Sequence, residues 1–441
     1  MTFTLIIRLL HTMTSSLVPL NVRGMKVLDR SKFLRNIKVP VLKVSEQTLA
    51  KITPLCKSYF LKLERFKPVQ SSKLDGEESK KNIYLNPDTI NSWTDIEENV
   101  RKDMSVFEVN ESNFNTQEIQ LTYDNWSFDI IFNAVLPENE EKLSSFSHIG
   151  HIIHLNLRDH LLDYRFLIGE VLLDKIRSCR TVVNKSNTIN NTYRNFSMEL
   201  LAGDEDYIVT VKENRCNFEF DFSKVYWNPR LCKEHERILS YLKQGDVLFD
   251  IFCGVGPFSI PAAKRKTIVY ANDLNPESYK WLNHNAEKNK INNQYFKSYN
   301  LDGKEFILTV LKDYLLDLCN EKRKLDDSSR IHITMNLPAL AVEFLKYFKG
   351  LVRSENVNNL KNEIIVYVYC FAATKEIAKE MVCENIAIDI SKNIIEVFDV
   401  RNVSPKKEMM RVTIKLTNDI LCINSDDHSE PPLKKLCVES K

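Results

Sequence analysis

The chain has 441 residues, of which 43% are apolar and 10% aromatic. This length and composition support two or three domains with hydrophobic cores and exclude a disordered protein. The formal net charge is only +2, but residues 1–67 contain 13 lysines and arginines against 3 acids. The basic excess indicates either contact with a polyanion or a solvated surface.

The first residues have the composition of a targeting segment. Met1 to Leu28 contains Arg8, Arg23 and Lys26, several hydroxyl residues and no acid. This composition is typical of a mitochondrial transit peptide, and the alternative is a terminus without a function. We expect a protein of the mitochondrial matrix, cytoplasm and nucleus. No apolar segment is long enough to span a bilayer, so no membrane partner is expected.

Patterning along the chain predicts three folded parts and a disordered tail. The second part carries strands near residues 151–155 and 208–211 and a helix over 163–177. A polar stretch at 71–82 is predicted to be an exposed loop. The predicted boundaries are 30–110 for a small basic domain, 120–232 for an α+β domain, 233–420 for an alternating domain and 422–441 for the tail.

The third part alternates apolar strands with helices. This order predicts an α/β, doubly wound parallel sheet, with the last two strands close enough in sequence to form a hairpin. The strands are expected to begin at Val247 and Thr267 and to lie at 295–299, 332–335, 364–369, 394–400 and 412–416.

A glycine turn follows the first of these strands. Gly254 and Gly256 allow a sharp turn and close approach of a ligand, and a helix is expected from Phe258. Asp273, at the end of the second strand, is suited to accept both hydroxyls of a ribose. Ser259 stands where a dinucleotide fingerprint has its third glycine, so the pattern favours an adenosine without a phosphate tail, which suggests S-adenosylmethionine. Asp250 is either a ligand contact or a turn former.

Two further features concern a base and the cysteines. Asn336-Leu337-Pro338 follows a predicted strand, and its amide offers a donor and an acceptor to a flat base. The ten cysteines are scattered without a Cys-x-x-Cys pair or clustering with histidine. They are typical of reduced core thiols, and no metal site is expected.

Several segments resemble one family, the archaeal and eukaryotic tRNA (guanine-N1) methyltransferases that act at position 37. The resemblance covers roughly residues 140–420 and implies a class I methyltransferase fold, Rossmann-like, preceded by an α+β domain and a small RNA-binding domain. The matching segments are His154 to Arg158, Ile168 to Lys175, Val225 to Arg237, Phe252 to Phe258, Asn300 to Gly303 and Asn336 to Pro338.

The resemblance also implies a reaction: transfer of a methyl group from S-adenosylmethionine to N1 of guanosine 37 in tRNA. Such a reaction needs a base near N1 and a cation near O6. The family's pattern assigns the base to Glu234 and the O6 contact to Arg194, while Asn336 reaches the guanine edge. A surface position for Glu234 and an ion pair to Glu199 for Arg194 are the structural alternatives.

The remaining implied contacts involve the nucleoside and the cofactor. Tyr226, Arg230 and Pro338 match residues that line the guanosine site, although Tyr226 and Arg230 are equally compatible with buried structure. The cofactor contacts implied by the family are His235, Asp250, Gly254, Gly256, Asp273, Leu274, Asp302, Gly303 and Asn336.

Rival interpretations are an aminocarboxypropyl transferase of wybutosine synthesis and a non-catalytic tRNA-binding protein. The block Asn228 to Leu231, together with Glu234, His235 and Asn336, favours the methyltransferase. A small-molecule methyltransferase would not need two extra domains. The expected partner is a tRNA with guanosine at position 37, bound by a monomer.

Overall fold

The computed structural model describes residues 22–72, 80–138, 145–190, 195–352, 357–404 and 407–422, with Pro19, Glu140, Glu141 and Leu143. The chain divides into two compact units. The N-terminal unit contains residues 5–186 and 198–206, and the C-terminal unit contains residues 1–4, 187–197 and 207–441. Within the described residues, no helix has the length and apolar character needed to cross a membrane.

The N-terminal unit combines two small sheets with helices. Its strands are β1 (Arg35–Ser45), β2 (Val69–Ser71), β3 (Lys80–Tyr84), β4 (Phe114–Leu121), β5 (Ser147–Ile149), β6 (Ile152–Leu155), β7 (Thr181–Asn190) and β8 (Asn195–Gly203). Its α-helices are α1 (Glu46–Cys56), α2 (Glu98–Ser105), α3 (Phe128–Val135) and α4 (Arg165–Lys175). Single turns of 3-10 helix lie at Arg30–Phe33, Lys57–Tyr59, Trp93–Asp95, Glu111–Asn113 and Tyr123–Asn125, and a longer one at Asp159–Tyr164. The sheet orders are β2-β3-β1-β4 and β5-β6-β7-β8.

The first sheet is built around β1, which pairs antiparallel with both β3 and β4. Where β1 ends, the Ser45 hydroxyl accepts a hydrogen bond from the Thr48 amide at 3.2 Å and caps α1. A core from β1, α1 and α2 contains the fully buried Leu42, Ile52 and Met104. Apolar residues of the predicted basic domain therefore have a core of their own.

A second core lies under α3 and α4. The Trp126 indole donates to the Phe33 carbonyl at 3.0 Å, and α4 confirms the helix predicted over 163–177. Val39 of β1 and Val171 of α4 are fully buried in this same core. The predicted domains 30–110 and 120–232 therefore share a core, and their described residues up to 186 form one unit.

Residues at the predicted end of the transit peptide belong to this second core. Val22 and Leu28 are buried in it, and the Gly24 amide donates to the Val135 carbonyl at 2.8 Å. Removal of all residues to Leu28 would expose this apolar surface. This packing corrects the predicted boundary: a cleavable segment has to end before Val22. Residues 1–18 lie outside the described residues.

The C-terminal unit contains the alternating part of the chain. Its strands are β9 (Ile208–Glu213), β10 (Cys216–Asp221), β11 (Val247–Asp250), β12 (Ile268–Asn272), β13 (Phe296–Tyr299), β14 (Ile331–Met335), β15 (Ile364–Ala372), β16 (Ile394–Ser404) and β17 (Lys407–Leu416). Its α-helices are α5 (Cys232–Tyr241), α6 (Ser259–Lys264), α7 (Pro276–Lys288), α8 (Gly303–Phe306), α9 (Lys312–Cys319), α10 (Lys375–Ile386) and α11 (Asn418–Cys422). A π-helical turn lies at Ile307–Leu311, and 3-10 helices lie at Pro229–Leu231, Ala341–Phe348, Val357–Asn359 and Ser391–Asn393.

Seven strands form one sheet in the order β13-β12-β11-β14-β15-β17-β16. The pairs from β13 to β15 are parallel, and β17 runs antiparallel to β15 and β16. Every residue of β11 and β14 is buried, as expected for parallel strands covered on both faces. The predicted doubly wound α/β sheet and the pairing of its last two strands are confirmed.

The β9–β10 hairpin also belongs to this unit. Side-chain oxygens of α7 cap its free backbone amides: Asn285 accepts from Glu219 at 2.8 Å and Asn289 accepts from Asn217 at 2.9 Å. Because these bonds replace water on an edge strand, the hairpin is tied to α7. The domain boundary predicted at residue 232 is therefore corrected to a position near residue 207.

Two sequence predictions fall largely outside the described residues. The predicted loop at 71–82 lies between the end of β2 at Ser71 and the start of β3 at Lys80, and residues 73–79 are outside the description. The predicted tail lies outside it as well, beyond Cys422.

Candidate active site

The chemically active residues gather along one edge of the large sheet. Parallel β12, β11 and β14 end at the same edge, since Asn272 is followed by Asp273, Asp250 pairs with Thr334, and Asn336 follows β14. The carboxyl edge of such a sheet is where ligands bind in doubly wound folds. The structure thus brings the predicted cofactor and base contacts onto a common edge.

The two glycines of the turn after β11 have different roles. Gly254 has φ +55°, and a Cβ built there meets no atom within 4 Å. Gly256 has φ +94°, and a Cβ there would lie 2.7 Å from Ile260 and 2.8 Å from Leu282. Gly254 therefore leaves room for a ligand, while Gly256 lets the turn pack against α6 and α7.

Asp273 has the properties required of a ribose acceptor. It is half-buried, and its carboxylate accepts from the Gly254 amide at 2.8 Å and from the Asn275 amide at 2.9 Å. Burial raises the pKa of Asp273 above its usual value. Because a carboxylate has about four acceptor positions, capacity remains for a hydroxyl of a ligand.

Asp250 is placed differently from the predicted ligand contact. Its side chain is completely buried and accepts from the Ser259 hydroxyl at 2.6 Å and the Thr334 hydroxyl at 2.7 Å. Burial raises the pKa of Asp250 to about 6. These bonds join β11, α6 and β14, and they favour the structural alternative for Asp250 over direct contact with a ligand.

The loop after β13 brings Asp302 and Gly303 to the same edge. The exposed Asp302 caps α8 by accepting from the Lys304 amide at 2.8 Å. A Cβ at Gly303 would lie 2.8 Å from Phe252 and 3.0 Å from Phe344. Packing therefore already explains this glycine, whatever it contacts in a ligand.

Asparagines that the sequence interpretation missed connect these loops. The Asn300 amide donates to the carbonyls of Asp273 at 2.7 Å and Leu274 at 3.0 Å. The Asn272 side chain bonds both the amide and the carbonyl of Leu301. These contacts fix the loop in which Leu274 exposes 47% of its surface, an apolar area suited to covering a base.

Asn336 has an unsatisfied polar atom. Its side-chain oxygen is buried and has no hydrogen-bond partner within the described residues. The following Leu337 carbonyl accepts from the amides of Leu340 and Ala341, each at 2.8 Å, so the turn containing the half-buried Pro338 is fixed. A buried acceptor without a partner is costly, and a donor on a bound base would satisfy it.

Glu234 lies in α5 and is buried, with only 3% of its surface exposed. Its Oε1 accepts from the Tyr369 hydroxyl at 2.9 Å and from Arg411 Nη1 at 3.1 Å. Its Oε2 accepts from Arg237 Nε at 3.1 Å. The surface alternative for Glu234 is therefore wrong, because the carboxylate is enclosed and ion-paired.

His235, next to Glu234, has a partner that the sequence interpretation missed. Its Nδ1 lies 2.6 Å from Glu213 Oε1 of β9, and both side chains are buried. The edge of the ring packs against Phe258, with the ring centres 4.7 Å apart. Glu213 thus orients His235 beside the glycine turn, and only the other ring nitrogen is available to a ligand.

Tyr226 and Arg230 are both exposed, which does not support the buried-structure alternative. Asn228 orients this segment, donating to the Tyr226 hydroxyl at 3.2 Å and accepting from the Arg230 amide at 3.1 Å. Burial lowers the pKa of Arg401 in β16, and the positive charge of Arg230 lowers it further. Arg401 is therefore an additional cation near these residues that the sequence interpretation missed. Arg194 lies outside the described residues.

The fold and the site have counterparts among known proteins. A family model described as the TRM5/TYW2 methyltransferase domain matches residues 209–386, and one described as the TYW2 N-terminal domain matches residues 129–206. The crystal structure of wild-type Trm5b from Pyrococcus abyssi shares the fold, with a TM-score of 0.56 at 21% identity, over 85% of this chain and 98% of that one. Sheet, glycine turn and ribose acceptor define a class I methyltransferase that uses S-adenosylmethionine.

Two curated relatives are similar over nearly the whole chain. A tRNA (guanine(37)-N(1))-methyltransferase of Anopheles gambiae is 49% identical over 95% of this chain and 74% of the relative, and one of Drosophila pseudoobscura pseudoobscura is 46% identical over 96% of both. The chain belongs to the tRNA (guanine(37)-N(1))-methyltransferase family.

Proposed function

We propose that this protein transfers a methyl group from S-adenosylmethionine to N1 of guanosine 37 in tRNA. The observation that carries the proposal is the extent of the similarity, which includes residues of both units and is not confined to the cofactor sheet. Similarity limited to the sheet would support a methyltransferase of any substrate.

The residues at the sheet edge suit this chemistry. Methylation at N1 requires removal of the ring proton while negative charge accumulates on O6. We assign the base to the buried Glu234 and contact with the guanine edge to Asn336, whose oxygen lacks a partner. Arg194 is proposed to stabilise O6, and Tyr226, Arg230 and Pro338 are proposed to hold the nucleotide.

The cofactor supplies a methyl group that its sulfonium already activates, so the reaction needs no metal. Asp273 is assigned to the ribose, and Gly254 leaves open space beside it. His235, Leu274, Asp302 and Gly303 are proposed to surround the remainder of the ligand, with Gly256 supporting the turn.

Exchange of Asp273 for asparagine is expected to weaken S-adenosylmethionine binding by about 10- to 100-fold, because hydrogen bonds to a charged group contribute about 1.5–3 kcal/mol. Asp250→Asn is the matched control and should change the affinity by less than about threefold, since both its oxygens bond the protein. Calorimetric titration measures both affinities. A large loss in Asp250→Asn at unchanged melting temperature would make Asp250 a ligand contact.

The basic part at residues 30–110 is proposed to contact tRNA phosphates. Some of the basic charge near the start of the chain is compensated within the unit, since Lys26 pairs with Asp163, Arg30 with Asp174 and Arg65 with Asp124. Other lysines, among them Lys38 and Lys62, remain available to a polyanion by their position in this part of the chain.

The affinity for tRNA is expected to fall by about 1,000-fold when salt is raised about fourfold, because neutralised phosphates release counterions. Filter binding at several salt concentrations measures the slope. The affinity for S-adenosylmethionine is the internal control and should change little. A flat dependence for tRNA would contradict the proposed phosphate contacts.

Location and assembly are also proposals. The basic, hydroxyl-rich start of the chain supports mitochondrial import in addition to a cytoplasmic and nuclear population. Because Val22 and Leu28 are core residues, the import test uses residues 1–21 fused to a fluorescent protein, and a diffuse signal would argue against import. The protein is expected to act as a monomer, which light scattering checks.

Product analysis tests the function itself. The purified protein is incubated with labelled S-adenosylmethionine and a tRNA carrying guanosine 37, and the nucleosides are identified by mass spectrometry. The expected product is 1-methylguanosine, and a tRNA with adenosine 37 should remain unmodified. A mass gain equal to an aminocarboxypropyl group would support that alternative, and an unmodified guanosine would favour a non-catalytic tRNA-binding protein.

A further inference from the structure

The partners of Glu234 differ on its two oxygens, and the inference drawn from this difference rests on the proposed function. Oε1 accepts from Tyr369 at 2.9 Å and from Arg411 at 3.1 Å. A carboxylate oxygen has two lone pairs, so these donors fill the acceptor capacity of Oε1. Within the described residues, Oε2 has one donor, Arg237. One acceptor position on Oε2 therefore remains for a proton.

The two donors on Oε1 are held rigidly by the sheet. Tyr369 of β15 and Arg411 of β17 are cross-strand partners, and both side chains are completely buried. At its other nitrogen, Arg411 Nη2 donates to Glu396 at 2.6 Å. Neighbouring strands of one sheet thus fix the orientation of the carboxylate.

Aromatic rings surround the Arg411 guanidinium. Its central carbon lies 5.2 Å from the centre of the Phe398 ring, 5.6 Å from Tyr241 and 5.8 Å from Tyr367. These rings exclude water and supply cation–π contacts, which together with two carboxylates offset the cost of burying a guanidinium. Arg411 is therefore a preorganised cation and cannot easily be replaced by a residue of another shape.

Arg237 is bound less firmly. Its side chain is 37% exposed, and it reaches Oε2 from within α5, one turn beyond Glu234, with its guanidinium stacked 3.8 Å from the Phe398 ring centre. Oε2 consequently lies on the side of the carboxylate that reaches toward solvent, whereas Oε1 faces the sheet.

We propose that Oε2 of Glu234 takes the N1 proton of guanine and that Arg411 and Tyr369 are positioning residues that present this oxygen. The N1–H bond breaks and its proton goes to Oε2, the N1 electron pair bonds to the methyl carbon, and the carbon–sulfur bond breaks with its pair left on sulfur. Glu234 then returns the proton to water. Neither Arg411 nor Tyr369 touches the reacting atoms.

The test measures single-turnover methyl transfer to a guanosine-37 tRNA from mildly acidic to alkaline pH. Arg411→Gln should slow transfer by about 100-fold and Tyr369→Phe by about 10-fold, because each disturbs the alignment of a general base. Arg411→Lys should restore part of the rate. The control Lys415→Gln removes a cation from the same strand whose ion pair with Glu363 lies elsewhere, and it should transfer at the wild-type rate.

Alkaline rescue separates positioning from folding. At high pH the N1 proton leaves without a base, so the defects of Arg411→Gln and Tyr369→Phe should shrink, as should that of Glu234→Gln. Arg411→Gln placed on Glu234→Gln should cause little further loss, because both changes remove the same function. The groups facing Glu234 from each packed element are Tyr369, Arg411 and Arg237, and Glu396 faces it through Arg411.

A rate loss of equal size at every pH would overturn the proposal, as would an additive double variant. If Arg411→Gln does not fold, Tyr369→Phe and Arg411→Lys decide the matter by the same pH comparison. Failure of the wild-type protein to methylate guanosine 37 would instead refute the proposed function, so the two failures are distinguishable.

Discussion

Glu234→Gln is expected to slow methyl transfer by about 100- to 10,000-fold, the usual contribution of a general base. Glutamine has the shape of glutamate and keeps an oxygen that can accept from Tyr369 and Arg411, so the geometry around Oε1 is retained. It lacks the negative charge needed to take the N1 proton. The loss should therefore fall on the chemical step, and binding of tRNA and S-adenosylmethionine should be nearly unchanged.

Single-turnover rates at saturating tRNA and cofactor measure this effect, and equilibrium titrations provide the two affinities. Glu236→Gln is the matched control, because Glu236 lies on the same helix but is exposed; it should retain the wild-type rate. Methyl transfer by Glu234→Gln at the wild-type rate would exclude Glu234 as the base. A loss confined to the tRNA affinity would instead assign Glu234 to substrate binding.

Gly256→Ala is expected to lower the free energy of unfolding by about 2–4 kcal/mol, which combines backbone strain with overpacking. Alanine rarely adopts φ +94°, and its Cβ would lie within 3 Å of Ile260 and Leu282. Both neighbours are fully buried, so neither can move away without disturbing the core. The melting temperature should fall by several degrees.

Gly254→Ala is the control for this glycine. Its φ of +55° is less strained, and its Cβ would enter open space, so the loss of stability should be about 1 kcal/mol. The methyl group would instead occupy room proposed for the cofactor and weaken cofactor binding. Chemical denaturation and calorimetric titration distinguish the two variants. Equal stability of Gly256→Ala and the wild type would show that the turn relaxes more readily than its packing indicates.

Much of the C-terminal unit could be predicted from local patterns. All seven strands of the large sheet were identified, because each is a short apolar run between polar segments. The glycine turn and Asp273 follow directly from strand order, since the carboxyl ends of parallel strands meet at one edge. Domain boundaries were harder: β9 and β10 look like part of the preceding domain until the bonds from Asn285 and Asn289 are seen.

The partners of buried charges were not predictable in the same way. Arg411 stands out in an otherwise mostly apolar strand, but sequence alone does not indicate that it meets Glu234, 177 positions earlier. The same holds for Glu213 and His235, and for Asp250, whose hydroxyl partners come from α6 and β14. Such contacts depend on which strands become neighbours, and no local pattern contains that information.

By itself, the sequence determined the class of fold, the cofactor edge and the residues available for chemistry, because apolar periodicity and backbone freedom are properties of short segments. The tertiary structure decided the condition of each group: Asp250 enclosed by hydroxyls, Asn336 left with a free acceptor, and Glu234 bound on one oxygen and open on the other. Burial and hydrogen-bond partners set the reactivity of a carboxylate, and both arise only when distant segments pack together.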